Sequence, residues 1–147
     1  MEIKELGHVV LYVSDITRSA NFYRDTLGFR ELFRGGQTAA FSSGRTHHEL
    51  LLIEIGIPAR SHKNMEPGLY HIGLKVGDGH EAIERVWQEL KQKGVHIVGT
   101  GDHTITHSIY ILDPDGNELE LYADMSDEWK KDPQAIMSTT KPLHLRS

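Results

Sequence analysis

The sequence repeats itself once, and that repeat constrains the fold more than any other feature. His8-Val-Val-Leu-Tyr-Val-Ser-Asp15 returns 63 residues later (71 − 8) as His71-Ile-Gly-Leu-Lys-Val-Gly-Asp78, with His, Leu, Val and Asp in register. A recurrence of this kind means that one supersecondary unit is used twice. Each copy alternates in part like a strand and ends at an Asp that precedes a helical pattern. In the first half, Ile16, Ala20, Tyr23 and Leu27 form an apolar stripe, with Asp15 placed to cap the helix and Gly28 to end it. In the second, the helix spans about His80 to Lys93, with Ile83, Val86, Trp87 and Leu90 as its stripe and Gly94 as its stop.

Strand-like segments follow each helix. They are Phe29–Arg34, Thr38–Ser42 and His48–Ile55 in the first half, then Val95–Val98, His107–Leu112 and Glu118–Tyr122 in the second. Asp113-Pro-Asp-Gly-Asn117 has the residues of a tight hairpin turn. The order is β-α-β-β-β, twice. The expected class is α+β: paired βαβββ modules forming an open, cup-shaped mixed β-sheet around a metal site. One domain is expected over residues 1–125, with modules at about 5–55 and 69–123, a linker over 56–68 and a C-terminal tail over 126–147. The tail starts like a short helix at Asp127 and then loses periodicity. Packing at an edge, covering a site and fraying are all open to it.

Composition narrows the chemistry. The 147 residues include ten His and no Cys. Disulfides, thiolate zinc sites, iron–sulfur clusters and a Cys nucleophile are therefore excluded, and any metal must take imidazole and carboxylate ligands. The net charge of −5 argues against nucleic acid or an anionic membrane surface as a partner. The N-terminus lacks the apolar stretch of a signal peptide, and no apolar run approaches a membrane span, so a cytoplasmic protein is expected.

Strand alternation selects the inward side chains. His8 would point in with Val10 and Tyr12; His48 with Leu50, Leu52 and Glu54; Glu120 with Glu118 and Tyr122. Glu54 and Glu120 are taken as equivalent positions in the last strand of each half, so two His and two Glu converge. His8, His71 and Glu120 make a 2-His-1-carboxylate set, which leaves open faces on a six-coordinate metal, as non-heme Fe(II) oxygenases require.

The repeat, the opening GHVVLYVSDITRSANFYRDTLGF, the segment YHIGLKV and the ending YILDPDGNELELY resemble the vicinal-oxygen-chelate superfamily over roughly residues 5 to 123. That group includes glyoxalase I, fosfomycin- and bleomycin-resistance proteins and type I extradiol dioxygenases. The resemblance implies the paired cup fold and a metal held by His8, His71 and Glu120. Gly101, His103, Ile109, Tyr110, Asp113, Pro114, Gly116 and Glu120 fill, in order, a pattern similar to that of extradiol dioxygenases. His107 is the alternative to His103. Arg45-Thr-His-His-Glu49 is similar to the segment that supplies those enzymes' acid–base histidine, which falls on His48, with His47 as rival. His103 and Tyr110 would orient the substrate ring.

The resemblance thus implies a single-domain Fe(II) dioxygenase acting on a catechol and O₂, with Mn²⁺, Ni²⁺ or Zn²⁺ as alternative metals. Classical extradiol enzymes carry a second, silent copy of the domain, for which 147 residues leave no room, and a homodimer is expected. Glu54 keeps a glyoxalase-I-like isomerase open, as a fourth ligand. A fosfomycin-resistance-type thiol transferase and a bleomycin-resistance-type drug binder also stay open. Against the transferase, Val9 and Val10 follow His8 where such enzymes place a Thr. His62, His80, His96 and His144 are expected to be solvated, and Lys75, the counterpart of Tyr12, has no assigned role.

Overall fold

A computed structural model of the chain describes residues 1–58 and 67–146. They fall into two units: Met1–Asn64 with Asp113–Gly116, and Met65–Leu112 with Asn117–Ser147. His62 and most of the linker lie outside the described residues.

In the first unit, strand β1 (Val9–Val13) leads into helix α1 (Ile16–Asn21), followed by β2 (Arg30–Gly35), β3 (Thr38–Ser42) and β4 (Leu50–Glu54). Alternation in β1 buries Leu11 and Val13 and exposes Val10 and Tyr12. The Asp15 carboxylate accepts from Arg18 N at 2.8 Å, satisfying a donor that the first helical turn leaves unpaired. Ile16, Ser19 and Ala20 form the buried stripe of α1, which widens into a π turn over Phe22–Thr26. The chain then leaves through Gly28 at φ 76°. The sheet order is β1-β4-β3-β2, with β1 and β4 parallel and the other pairs antiparallel.

The expected turn at 113–117 forms. Gly116 N donates to Asp113 O at 3.0 Å, and Asp113 Oδ1 accepts from Asp115 N at 2.9 Å. Both carboxylates are nearly buried and fully engaged. Tyr23 OH donates to Asp113 Oδ2 at 2.8 Å. Asp115 takes Ser14 N at 2.9 Å, Arg18 Nη2 at 2.7 Å and the Ser14 hydroxyl. Tyr23, only 1% exposed, has its hydroxyl pKa raised by burial and then by the Asp113 charge.

The second unit repeats the arrangement with β5 (His71–Asp78), α2 (His80–Gln92), β6 (Ile97–Asp102), β7 (Thr106–Leu112) and β8 (Glu118–Asp124). Its sheet order is β5-β8-β7-β6, with β5 and β8 parallel. Ala82, Ile83 and Leu90 of α2 share the core with Ile109, Ile111, Leu119, Leu121 and Ala123. Burying each of the larger side chains is worth about 1.5–3 kcal/mol. Helix and sheet come close at Gly77, where a Cβ would sit 2.9 Å from Ala82 Cβ.

The class is therefore α+β with two βαβββ modules, as the repeat predicts. One boundary differs in a way that matters. The last strand of the first half, β4, starts at Leu50, not His48. The Glu49 carboxylate accepts from the backbone N–H groups of Ser43, Arg45 and Thr46 at 2.8, 3.0 and 2.9 Å, which holds residues 43–49 as a loop. After β8 the tail forms 3₁₀ turns at Glu128–Lys130 and Pro133–Met137. It then pairs with the end of β6, where Lys141 and Asp102 exchange backbone hydrogen bonds of 3.0 and 2.8 Å. Among the described residues no helix is long and apolar enough to cross a membrane.

Candidate metal centre

In β8 the residues alternate strictly. Leu119, Leu121 and Ala123 are buried, while Glu118, Glu120 and Tyr122 keep partial access on the opposite face. Glu120 is flanked in register by Gly73 of β5 and Tyr110 of β7. Gly73 puts no side chain beside it. His71, two residues earlier on the same face of β5, reaches across, with Nε2 3.3 Å from Glu120 Oε2.

The other oxygen of Glu120 is held firmly. Its Oε1 accepts from Ser108 Oγ at 2.6 Å and from Tyr110 OH at 3.1 Å. Tyr110 OH also meets His103 Nε2 at 2.9 Å. Burial, with the adjacent Glu120 charge, pushes the Tyr110 hydroxyl pKa up to about 12, so this phenol keeps its proton near neutrality. His103 sits in the β6–β7 hairpin, where Thr104 takes a left-handed conformation (φ 72°) supported by a hydrogen bond from its N–H to Asp102 Oδ1 at 2.7 Å.

The donor set of this face suits a metal. His71 Nδ1 is buried and has no hydrogen-bond partner; the Glu118 carboxylate stands 3.6 Å away. A ligating imidazole commonly directs its other nitrogen at such a carboxylate. His71 Nε2 and Glu120 Oε2 are close enough to share an ion at ordinary bond lengths of roughly 2.0–2.2 Å. The residues therefore fit a divalent cation taken by one imidazole and one carboxylate, with further ligands still required.

His103, in the hairpin, and His107, in β7, fall in different surroundings. His107 lies on the helix side of β7, where its Nδ1 meets Nδ1 of His80 at 3.0 Å and its Nε2 lies 3.6 Å from Asp102. Burial lowers its pKa despite Asp102. His103, and not His107, stands beside Tyr110 and Glu120. His80 also contacts Glu84 at 3.1 Å. His80, His96 and His144 are exposed, as expected. Lys75 pairs with Asp78 and Asp124 at 2.8 and 2.7 Å.

In the first unit, His8 is exposed just before β1. Its ring lies 4.5 Å from that of His48 and 6.1 Å from that of His47, centroid to centroid. His47 and His48 meet through their Nδ1 atoms at 2.6 Å. Partial burial, then His8 and His47, lower the His48 pKa, which favours its neutral ring.

Two expectations about β4 need correction. Leu50 and Leu52 are 5% and 0% exposed in the core, so alternation turns Glu54 to the same side, away from the face that carries Val10 and Tyr12. The Glu54 carboxylate accepts from Ile16 N at 2.7 Å, at the start of α1. Nor are Glu54 and Glu120 equivalent. Gly73 pairs with Glu120, and its repeat counterpart Val10 pairs with Leu51. The position that carries a carboxylate in the second half carries a leucine in the first.

The structure thus brings together His71, Glu120, Tyr110 and His103 in one unit, and His8 with His48 and His47 in the other. Among the described residues no group of three or more His, Cys, Asp or Glu is placed to hold a metal ion. Glu118 was expected inward with Glu120 but was given no role, and Ser108 was missed. Ser108 was within reach of the period-2 rule, since it shares a strand face with Tyr110.

Comparison with known proteins identifies the family and the fold. The model of the Glyoxalase/Bleomycin resistance protein/Dioxygenase superfamily matches residues 5–121. Catechol-2,3-dioxygenase of Bacillus subtilis (strain 168) is 31% identical over 146 residues, covering 95% of this chain and 49% of its own length. Metallothiol transferase FosB of Staphylococcus epidermidis is 34% identical over 122 residues, covering 82% of this chain and 84% of its own length. The chain spans about half the length of the first and most of the second. Among solved structures, a glyoxalase/dioxygenase from Nostoc punctiforme superposes with a TM-score of 0.72 at 19% identity, covering 84% of this chain and 92% of its own. At that identity the likeness concerns the fold.

Proposed function

The chain belongs to the Glyoxalase/Bleomycin resistance protein/Dioxygenase superfamily, and from that premise we propose that it is an Fe(II)-dependent extradiol dioxygenase cleaving a catechol-type ring with O₂. His71 and Glu120 would hold the metal from the second unit, with His8 as the third ligand. The same reading includes a homodimer.

The observation that carries it is the Tyr110 hydroxyl, which links His103 to the Glu120 oxygen turned away from His71. An un-ionised phenol and an imidazole beside a metal-binding carboxylate suit a substrate with two adjacent oxygens, one to be oriented and one to be deprotonated. When bound, Fe(II) supplies the electronic path between the catechol and O₂. His48 accepts and returns a proton at Nε2, its Nδ1 being engaged by His47. A glyoxalase-I-like isomerase is less well supported, because Glu54 is used at α1 and Leu51 stands opposite Val10.

A second reading, a metallothiol transferase, is favoured by the fuller match to the Staphylococcus epidermidis enzyme. One experiment separates the two. The protein is loaded anaerobically with Fe(II), and O₂ uptake and near-visible absorbance are followed with a panel of catechols. Uptake with a new chromophore supports the dioxygenase. Iron-containing protein that takes up no O₂ but transfers a thiol to an electrophile supports the transferase and ends the first reading.

A further inference from the structure

The superfamily match ends at residue 121, and the C-terminal tail lies beyond it. It is firmly seated on the second unit. Beyond the Lys141–Asp102 pairing, Arg146 N donates to both carboxylate oxygens of Glu84 at 3.1 and 3.3 Å. Arg146 O accepts from Trp87 Nε1 at 2.9 Å and Gln88 Nε2 at 3.0 Å. One residue before the Lys141 pairing, Thr140 Oγ1 lies 3.1 Å from His103 Nδ1. Gly101 makes this approach possible, since a Cβ there would lie 3.0 Å from His103 Nε2 and 3.1 Å from Thr140 Cγ2.

The proton directions along this line follow from counting donors. The Tyr110 hydroxyl has one proton, and it goes to Glu120 Oε1. The contact at 2.9 Å with His103 must then be filled by the imidazole, so Nε2 carries the hydrogen. An imidazole with its one hydrogen on Nε2 has Nδ1 as an acceptor, and Thr140 is the group positioned to donate to it.

We propose that Thr140 is a positioning residue of the site: its hydroxyl donates to His103 Nδ1, fixing that ring with Nε2–H aimed at Tyr110 and, through it, at Glu120. The tail thereby sets the orientation of a side chain that faces substrate. The inference rests on the dioxygenase reading for its catalytic consequence, but not for the hydrogen bond itself.

The test compares the full-length protein with its Thr140→Val and Thr140→Ser variants. Nitrogen-15 NMR of the His103 ring should show an Nδ1 acceptor and a protonated Nε2. In Thr140→Val, Nδ1 should move to the resonance of a free ring nitrogen, and Thr140→Ser should restore it. Gly101→Ala, which crowds both partners, should act like Thr140→Val. With iron loaded, Thr140→Val should lower kcat by about tenfold at unchanged metal content, the effect of losing one hydrogen bond, and Ser should recover it. An Nδ1 resonance that does not respond to Val, or a protonated Nδ1 in the parent protein, would overturn the proposal. A responsive Nδ1 in a protein without dioxygenase activity would keep Thr140 in its role and remove only the assigned reaction.

Discussion

Glu120 presents Oε2 to His71 Nε2 at 3.3 Å while Ser108 and Tyr110 hold Oε1. The carboxylate is therefore oriented by its neighbours, with one oxygen turned to the imidazole and the other fixed by two hydroxyls.

This division of labour sets the ranking of variants in a metal titration. His71→Ala and Glu120→Gln should abolish tight binding of Fe(II), whereas Ser108→Ala should bind with roughly 10–100-fold lower affinity, the usual cost of losing an orienting partner. His48→Ala should retain the metal and lose turnover. Full metal retention in His71→Ala would show that the ligands lie elsewhere.

Glu54 should behave as a structural residue. Its carboxylate meets Ile16 N at 2.7 Å, where a helix start favours negative charge. Glu54→Gln should cost about 1 kcal/mol in a denaturant titration, with no change in bound metal. A loss of metal without a loss of stability would restore the four-ligand, isomerase-like reading.

Tyr23 and Asp113 offer a test of the core. Tyr23→Phe removes a buried 2.8 Å hydrogen bond to a carboxylate while keeping the ring. Hydrogen bonds to charged groups contribute about 1.5–3 kcal/mol, and urea unfolding should show a loss in that range. A change below 0.5 kcal/mol, the scale of an ordinary surface substitution, would mean that the hydroxyl is solvated.

Acid stability should report on Glu49. Burial alone would raise its pKa, but the N–H groups of Ser43 and Thr46 and the hydroxyl of Ser42 outweigh that and lower it from 4.5 to about 2. A depressed carboxylate stabilises the fold fully above its unfolded pKa and ceases to do so as pH falls through the folded one. The contribution of Glu49 should therefore be lost between about pH 4.5 and 2. Stability measured across that window should fall less steeply in Glu49→Gln than in the parent protein. Parallel curves would show that the loop does not need the charge.

The βαβββ order, both helices with their stop glycines, the Asp15 cap and the 113–117 turn were all legible, because each depends on neighbours within a few residues. The pairing of His71 with Glu120 was legible too, since a repeat and a period-2 strand place both on one face. The face of β4 was not. Apolar Leu50, Leu51, Leu52 and Ile53 give no alternation to read, and the side of Glu54 was settled by α1, whose first N–H group it accepts.

The sequence by itself determined the modules, their internal order and the nitrogen and oxygen character of any ligand set, since local periodicity and the absence of cysteine suffice for these. Only the tertiary structure decided that Leu51 occupies the place corresponding to Glu120, that His103 and not His107 meets Tyr110, and that Thr140 reaches His103. Each of these depends on strand register or on a contact 37 residues away along the chain, and such long-range pairings are set by the packing of whole elements.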